Sequence, residues 1–249
     1  MTKLDRNKTA LVSVDNTRAF QDPELWEMPV EWWEQAAKWT YQLIQQFGDR
    51  ILALINTTEE HPQGHISFAS SLEGKQPFDG ELKDVNTVRW EEVRNRDEQN
   101  HWISKSAGFN LQQLKQYLQE VEMQVLWPDH SVEGTEWTQL IPPLKENLFD
   151  KKFIKWTKPY KESYSAFEDT WLHKHLEQLG VSNVVIWWLV TEVCVNATAM
   201  DSLRLWFNTL VVQDAIKWLS NEGHQQYIEQ MEKEWIKVVT IDQLKNLIN

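Results

Sequence analysis

Short apolar runs, most of them rich in β-branched residues, recur along the chain, and helical patterns separate several of them. The runs are TALVSV (9–14), ILALI (51–55), KKFIK (151–155), NVVIWW (183–188), NTLVV (208–212) and IKVVTI (236–241). The helical patterns fall at 34–47, 110–121, 168–179, 193–206 and 222–234. Strand, helix and strand in succession pack as a parallel pair with a right-handed crossover. The alternation therefore predicts an α/β fold in which helices cover a central, mostly parallel sheet of about six strands. The 249 residues suit one domain spanning 1–249 and supply enough apolar surface for a sizeable core. Residues 71–125 interrupt the pattern, being polar, charged and at first weakly periodic. They read as a long insertion with one helix, a candidate lid.

The formal charge of −12 leaves no basic excess to neutralise phosphates, which argues against a nucleic-acid partner. Cys194 is the single cysteine, so an internal disulfide is excluded. No apolar run approaches the ~18 residues of a membrane span. The first residues, MTKLDRNKTALVSVD, lack the apolar core of a signal peptide, and the cytoplasm is the expected compartment. A homo-oligomer is compatible with all of this, and nothing in the sequence fixes the oligomeric state.

Two counts stand out, 8 glycines and 15 tryptophans. At the usual ~7% the chain would carry about 17 glycines. Four helix-to-strand turns can be aligned: QFGDRILAL, QLGVSNVVI, RLWFNTLVV and KEWIKVVTI. The residue just past the helix is Gly48, Gly180, Trp206 and Trp235. That slot commonly takes a left-handed conformation and favours glycine, and a side chain there costs about 1–2 kcal/mol through its Cβ.

Chemistry-bearing residues fall at strand ends. Asp15 follows LVSV, Lys155 ends KKFIK, and Cys194 opens a helix after VVIWWLVTEV. Ligands of open α/β sheets bind beyond the carboxyl ends of the strands, so the three can converge on one crevice. There a helix N-terminus and a lysine would favour the thiolate, and a carboxylate can take the thiol proton. A second cluster joins EEHPQGHISFA (59–69) to LWPDHSVEGTE (126–136). His61, His65 and His130, with Glu59 or Glu60, suit a divalent metal in a nitrogen and oxygen site. His101, His173, His175 and His224 have no comparable surroundings and read as surface residues.

The segments ALVSVDNTRAF, HPQGHISFAS, LWPDHSVEGTE, KESYSAF and LVTEVCVNATAMDSLRL, in this order between residue 10 and about residue 214, resemble the nicotinamidase/pyrazinamidase group of the isochorismatase-like cysteine hydrolases. The resemblance implies a three-layer α/β/α fold and an amidase that converts nicotinamide to nicotinate and ammonia through a cysteine thioester, within NAD salvage. It implies a triad of Asp15, Lys155 and Cys194, and an oxyanion hole from the backbone amides of Val190 and Cys194 beside a cis peptide at Leu189–Val190. It implies ring-binding aromatics Phe20 and Trp127. It also implies one divalent ion (Zn, Fe or Mn) on Glu59, His61 and His130, with His65 as a fourth ligand. Rival readings are another amide or carbamoyl hydrolase on the same scaffold, or a binding domain without catalysis.

The chain departs from that pattern in several places. Glu59 stands where aspartate is usual, which puts the ligand geometry in question. Ser131 replaces a frequent cysteine and touches no assigned role. Tryptophan occupies positions 26, 32, 33, 137, 156, 188, 206, 218 and 235, where the family commonly has glycine, while Trp127 stands where a tryptophan belongs. Trp187, next to Trp188, reads as equally out of place. Some bacterial genetic codes read UGA as glycine and others as tryptophan, so translation with the wrong table would produce this pattern. Exchanging about 12 of the 15 tryptophans would bring glycine to about 20, close to the usual share. With the tryptophans in place, the chain is expected to fold poorly or to be inactive, because overpacking a core costs about 1–3 kcal/mol per site.

Overall fold

The computed structural model describes residues 3–20, 33–78, 86–97 and 102–248. Trp26, Trp32, His101 and part of the 71–125 segment lie outside them. The strands are β1 (Thr9–Val14), β2 (Ala53–Glu59), β3 (Thr87–Arg89), β4 (Met123–Val125), β5 (Lys151–Lys155), β6 (Asn183–Leu189), β7 (Asn208–Lys217) and β8 (Lys237–Val239). Six of them form one sheet in the order β5-β2-β1-β6-β7-β8, and every pair in it is parallel. The helices are α1 (Trp33–Phe47), α2 (Trp90–Val93), α3 (Leu111–Val121), α4 (Leu172–Leu179), α5 (Asn196–Arg204), α6 (Asn221–Lys233) and α7 (Ile241–Ile248). Every residue of β1, β2 and β6 is buried, because helices cover both faces of a parallel sheet. This is why these strands carry apolar runs rather than alternating ones.

The chain leaves β1 toward β2 on one side and returns to β6 on the other, so the strand order reverses at β1. Such a reversal opens a crevice beyond the carboxyl ends of the strands.

The sequence pattern and the fold differ in places. The run at 51–55 predicts a strand there, but β2 spans Ala53–Glu59 and its second half is polar. Thr57 and Thr58 are β-branched and suit a strand, and Oδ1 of the buried Asn56 accepts from Asn16 Nδ2 at 2.8 Å. The helix predicted at 168–179 begins at Leu172, and the one at 193–206 begins as a π turn over Thr191–Val195 before α5. Helix α7 is absent from the sequence reading, which ends in a strand at 236–241. The 71–125 segment holds β3, β4 and α2 besides the predicted helix. That helix, α3, starts where Asn110 Oδ1 accepts from Gln113 N and Gln113 Oε1 accepts from Asn110 N, both at 2.9 Å. The segment packs its own apolar cluster, including Val88, Val93, Leu114 and Leu118.

Three helix ends share one motif. At Gly180 the amide donates to Glu177 O at 2.9 Å and the next amide, Val181, donates to Leu176 O at 3.0 Å. At Trp206 the same pair runs to Leu203 O at 2.9 Å and from Phe207 to Ser202 O at 3.1 Å. At Trp235 it runs to Glu232 O at 3.1 Å and from Ile236 to Met231 O at 2.9 Å. This is the Schellman arrangement, with its left-handed residue. The φ angles are 74° at Gly180, 69° at Trp206 and 69° at Trp235. Gly48, placed by sequence in the same slot, instead opens a 3-10 turn over Gly48–Arg50 without a positive φ.

Two further tryptophans have positive φ, Trp156 at 68° and Trp188 at 108°. Trp137, Trp187 and Trp218 do not. Trp187 is enclosed, and its Nε1 donates to Thr40 Oγ1 at 3.0 Å, so the backbone gives no support to reading it as misplaced.

Candidate active site

Asp15, Glu59 and Lys155 are delivered by the carboxyl ends of β1, β2 and β5, and Cys194 by the π turn after β6. Strand register sets their spacing, since Glu59 pairs directly with Lys155 across β2 and β5. Lys155 is fully enclosed. Its Nζ lies 2.8 Å from Asp15 Oδ2 and donates to Tyr164 O at 2.7 Å. Asp15 also accepts from Thr57 Oγ1 at 3.4 Å. The carboxylate oxygens of Asp15 and Glu59 and the sulfur of Cys194 lie within 4.8 Å of one another. The three triad residues named from sequence are therefore one cluster.

The electrostatics follow from enclosure. Burial pushes the Asp15 carboxyl up, against the pull of the Lys155 ammonium. Burial also pulls Lys155 down, but Asp15 and Cys194 outweigh it and hold the ammonium charged. The Cys194 thiol is pushed well up, first by burial and with Lys155 opposing. Burial thus opposes the helix terminus and the lysine that favour the thiolate. Asp15 is the adjacent carboxylate that can take the thiol proton.

The second cluster adjoins the first through Glu59. Among the described residues, Glu59, His61 and His130 place one ligand atom each within 4.8 Å of the others. His130 Nε2 is 3.3 Å from Glu59 Oε1, and His61 Nε2 is 3.9 Å from Glu59 Oε2. The ligand–ligand edge of a tetrahedral site with ~2.1 Å bonds is about 3.4 Å, so these separations suit a shared ion. His130 Nδ1 bonds Pro128 O at 2.7 Å, which turns Nε2 toward the cluster. His61 is wholly buried and neither ring nitrogen has a hydrogen-bond partner. Such orphaned atoms are costly unless a ligand satisfies them. Burial, with His130 and Lys155 adding to it, keeps His61 neutral, as a ligand must be. The residues fit a divalent cation. Glu60 is not part of the set, since it turns to Lys152 at 3.5 Å. His65 abuts His61 edge-on but stays outside the set, with Nδ1 on Ser67 at 2.8 Å and Nε2 on Lys161 O at 3.0 Å.

Ser131, given no role from sequence, donates to Glu59 Oε1 at 2.8 Å and so orients the longer carboxylate. Tyr164, within the KESYSAF segment, supplies the carbonyl that holds Lys155 and also lines the pocket. Phe20 and Trp127, the sequence-derived ring contacts, line the same pocket with Trp156, Val190 and Cys194. The Leu189–Val190 peptide beside them is cis. The free space is about 30 Å³, room for a water or two and far below the ~300–1,000 Å³ of small-molecule sites.

The isochorismatase domain matches residues 9–243, and the chain belongs to that family of hydrolases. Like its relatives, it is a hydrolase acting on an amide. A nicotinamidase from Acinetobacter baylyi is 30% identical over 194 residues, covering 74% of this chain and 72% of the relative. A solved nicotinamidase/pyrazinamidase from Acinetobacter baumanii superposes with a TM-score of 0.73 at 25% identity, covering 96% of this chain and 98% of that one. A pyrazinamidase from Pyrococcus horikoshii, solved in complex with zinc, gives 0.67 at 26% identity over 94% and 99%. No described helix is long and apolar enough to cross a membrane.

Proposed function

We propose that this enzyme hydrolyses nicotinamide to nicotinate and ammonia, supplying nicotinate for NAD salvage in the cytoplasm. The observation that carries the reading is the junction at Glu59. It joins a buried Asp15/Lys155/Cys194 cluster to a metal-ligand set, within a pocket flanked by Phe20 and Trp127. An acyl-transfer group and a ring-holding group side by side suit a carboxamide on a heteroaromatic ring. The similarity to nicotinamidases supports the choice of ring.

Asp15 takes the proton from the Cys194 thiol as Sγ bonds to the amide carbon. The backbone amides of Val190 and Cys194 receive the oxyanion, and Lys155 offsets the negative charge gathered around Asp15. Asp15 returns the proton to the departing nitrogen, the C–N bond breaks, and ammonia leaves a thioester behind. Water gives a proton to Asp15 and its oxygen to the carbonyl carbon, which releases nicotinate and restores the thiol. Glu59, His61 and His130 would hold a zinc, iron or manganese ion, which would supply a Lewis-acid contact for the ring nitrogen. A single-domain organisation over 1–249, with 71–125 as an insertion over the site, completes the proposal.

The test is ammonia release from nicotinamide, with nicotinate identified as the product and an acyl-enzyme trapped on Cys194 by rapid quench. Turnover without any covalent adduct would reject the thioester route, and turnover of aliphatic amides alone would reject the ring assignment.

A further inference from the structure

Four tryptophans sit in backbone conformations that suit glycine. Trp206 and Trp235 repeat the motif of Gly180 hydrogen bond for hydrogen bond, within 5° in φ. The two residues are 94% and 87% exposed, so the fold does not pack their indoles. Trp188 is fully buried in β6 at φ 108°, beyond the left-handed well near +57°. Trp156 follows Lys155 at φ 68°, and its indole is buried in the site itself. It lies 4.5 Å from the ring of His61, 5.6 Å from His65 and 5.1 Å from Tyr164. Its Nε1 is buried without a hydrogen-bond partner, whereas a buried indole N–H usually finds one.

We propose that positions 156, 188, 206 and 235 are glycines in the working enzyme, and that position 156 decides whether the pocket admits a planar ring. The backbone carries the first half, since a positive φ recurs at sites with unrelated surroundings, two in solvent and two in the core, and three of the four lie within a degree of one another. The pocket carries the second half. Among the described residues, Trp156 is the only aromatic side chain that both borders the ligand set and sits on a left-handed residue. Removing it frees a volume of the order of one aromatic ring beside His61 and Tyr164. The identity of that ring as a pyridine carboxamide rests on the proposed function, but the opening of the pocket does not.

Peptide mass spectrometry on the protein from its native source should read glycine at all four positions, and tryptophan at any of them overturns the assignment there. In recombinant protein, Trp206→Gly and Trp235→Gly are remote from chemistry and should each raise the melting temperature by about 2–4 °C. A fall for both would remove the backbone argument. Trp156→Gly and Trp156→Ala, loaded with zinc, should bind pyridine at least tenfold more tightly by calorimetry than the chain with Trp156. The alanine variant keeps the φ penalty but removes the indole, so it tests the volume even if the glycine variant folds differently. Unchanged pyridine affinity in both variants overturns the gate. Ring binding without ammonia release from nicotinamide would leave this inference standing and reject the proposed function instead.

Discussion

Lys155 Nζ stands 2.8 Å from Asp15 Oδ2, and neither side chain reaches solvent. A buried pair of this kind does not serve stability, since the desolvation of two charges offsets most of their attraction. It maintains a carboxylate, raised by burial, in a place where an uncompensated one would keep its proton. The following outcomes refer to a chain with glycine at 156 and 188.

Lys155→Met should lower turnover at least about 10³-fold and destabilise the fold by about 3–5 kcal/mol, because Asp15 is left buried without its cation. Asp15→Asn combined with Lys155→Met should regain much of the stability and none of the activity. Denaturant melts of the two single variants and the double variant measure the coupling. Additive losses would show that the two groups do not interact.

Cys194→Ala should abolish ammonia release while leaving the melting profile and metal content unchanged, because the thiol makes the bond and the ligands lie elsewhere. Cys194→Ser should retain a trace. Ammonia release by the alanine variant near the parental rate would remove the nucleophile from the mechanism.

Metal content should fall in His61→Ala and in His130→Ala, with weaker nicotinamide binding in both. Ser131→Ala should lower metal affinity by roughly 10–100-fold, the usual effect of losing a group that orients a ligand. Elemental analysis after dialysis against graded chelator provides the scale. Full occupancy in the double histidine variant would place the ion elsewhere.

The acid side of kcat/KM should turn down at a pH above the ~3.9 of an ordinary aspartate. Burial raises the Asp15 carboxyl, the base must be ionised to act, and so activity is lost as pH falls. An acid limb at or below the ordinary aspartate value would contradict this assignment.

Glu162 supplies a separate pH test. Burial raises its carboxyl well above the usual range, and Oε1 accepts from Gln124 Nε2 at 2.7 Å. The folded state holds this proton more tightly than the unfolded chain. Its contribution to stability is full below the unfolded pKa of ~4.3 and is lost as pH rises through the folded value. Glu162→Gln should therefore be more stable than the parent at pH 7–8, by about 1–2 kcal/mol, and close to it at pH 4. Parallel stability curves for the two chains would refute the shift.

The parallel scaffold was legible in the alternation of apolar runs and helical patterns, and the clustering of the candidate site residues was legible in part. Asp15, His61, His130 and Cys194 lie in short segments whose residue types and spacing stand out, and the fold brings them close together. Lys155 is set by strand register, which a run such as KKFIK already suggests. Ser131 was missed because a serine in a loop carries no signal until Glu59 is placed beside it. His65 shares the histidine-rich spacing, but its two nitrogens are taken by Ser67 and Lys161. The polar half of β2 lies beyond the predicted run at 51–55, because burial by flanking strands is not visible in NTTE. Gly48 shows the limit of slot alignment, since glycine permits a left-handed turn without requiring one. At 206 and 235 the reverse holds, where a residue ill-suited to the slot exposed it.

The sheet order also governs when the site can come into being. Thr9 on β1 meets Asn183 on β6 across a separation of 174 residues. Parallel pairings this distant are slow to form, since loop-closure entropy is spent before any contact repays it. During synthesis β1 can pair with β2 early, but its other edge, with the apolar TALVSV, waits until residue 183 has emerged. Asp15 lies at the end of that waiting strand, and Cys194 arrives only after its partner. The proposed catalytic cluster is therefore completed late in biogenesis, and an N-terminal fragment ending before β6 lacks Cys194.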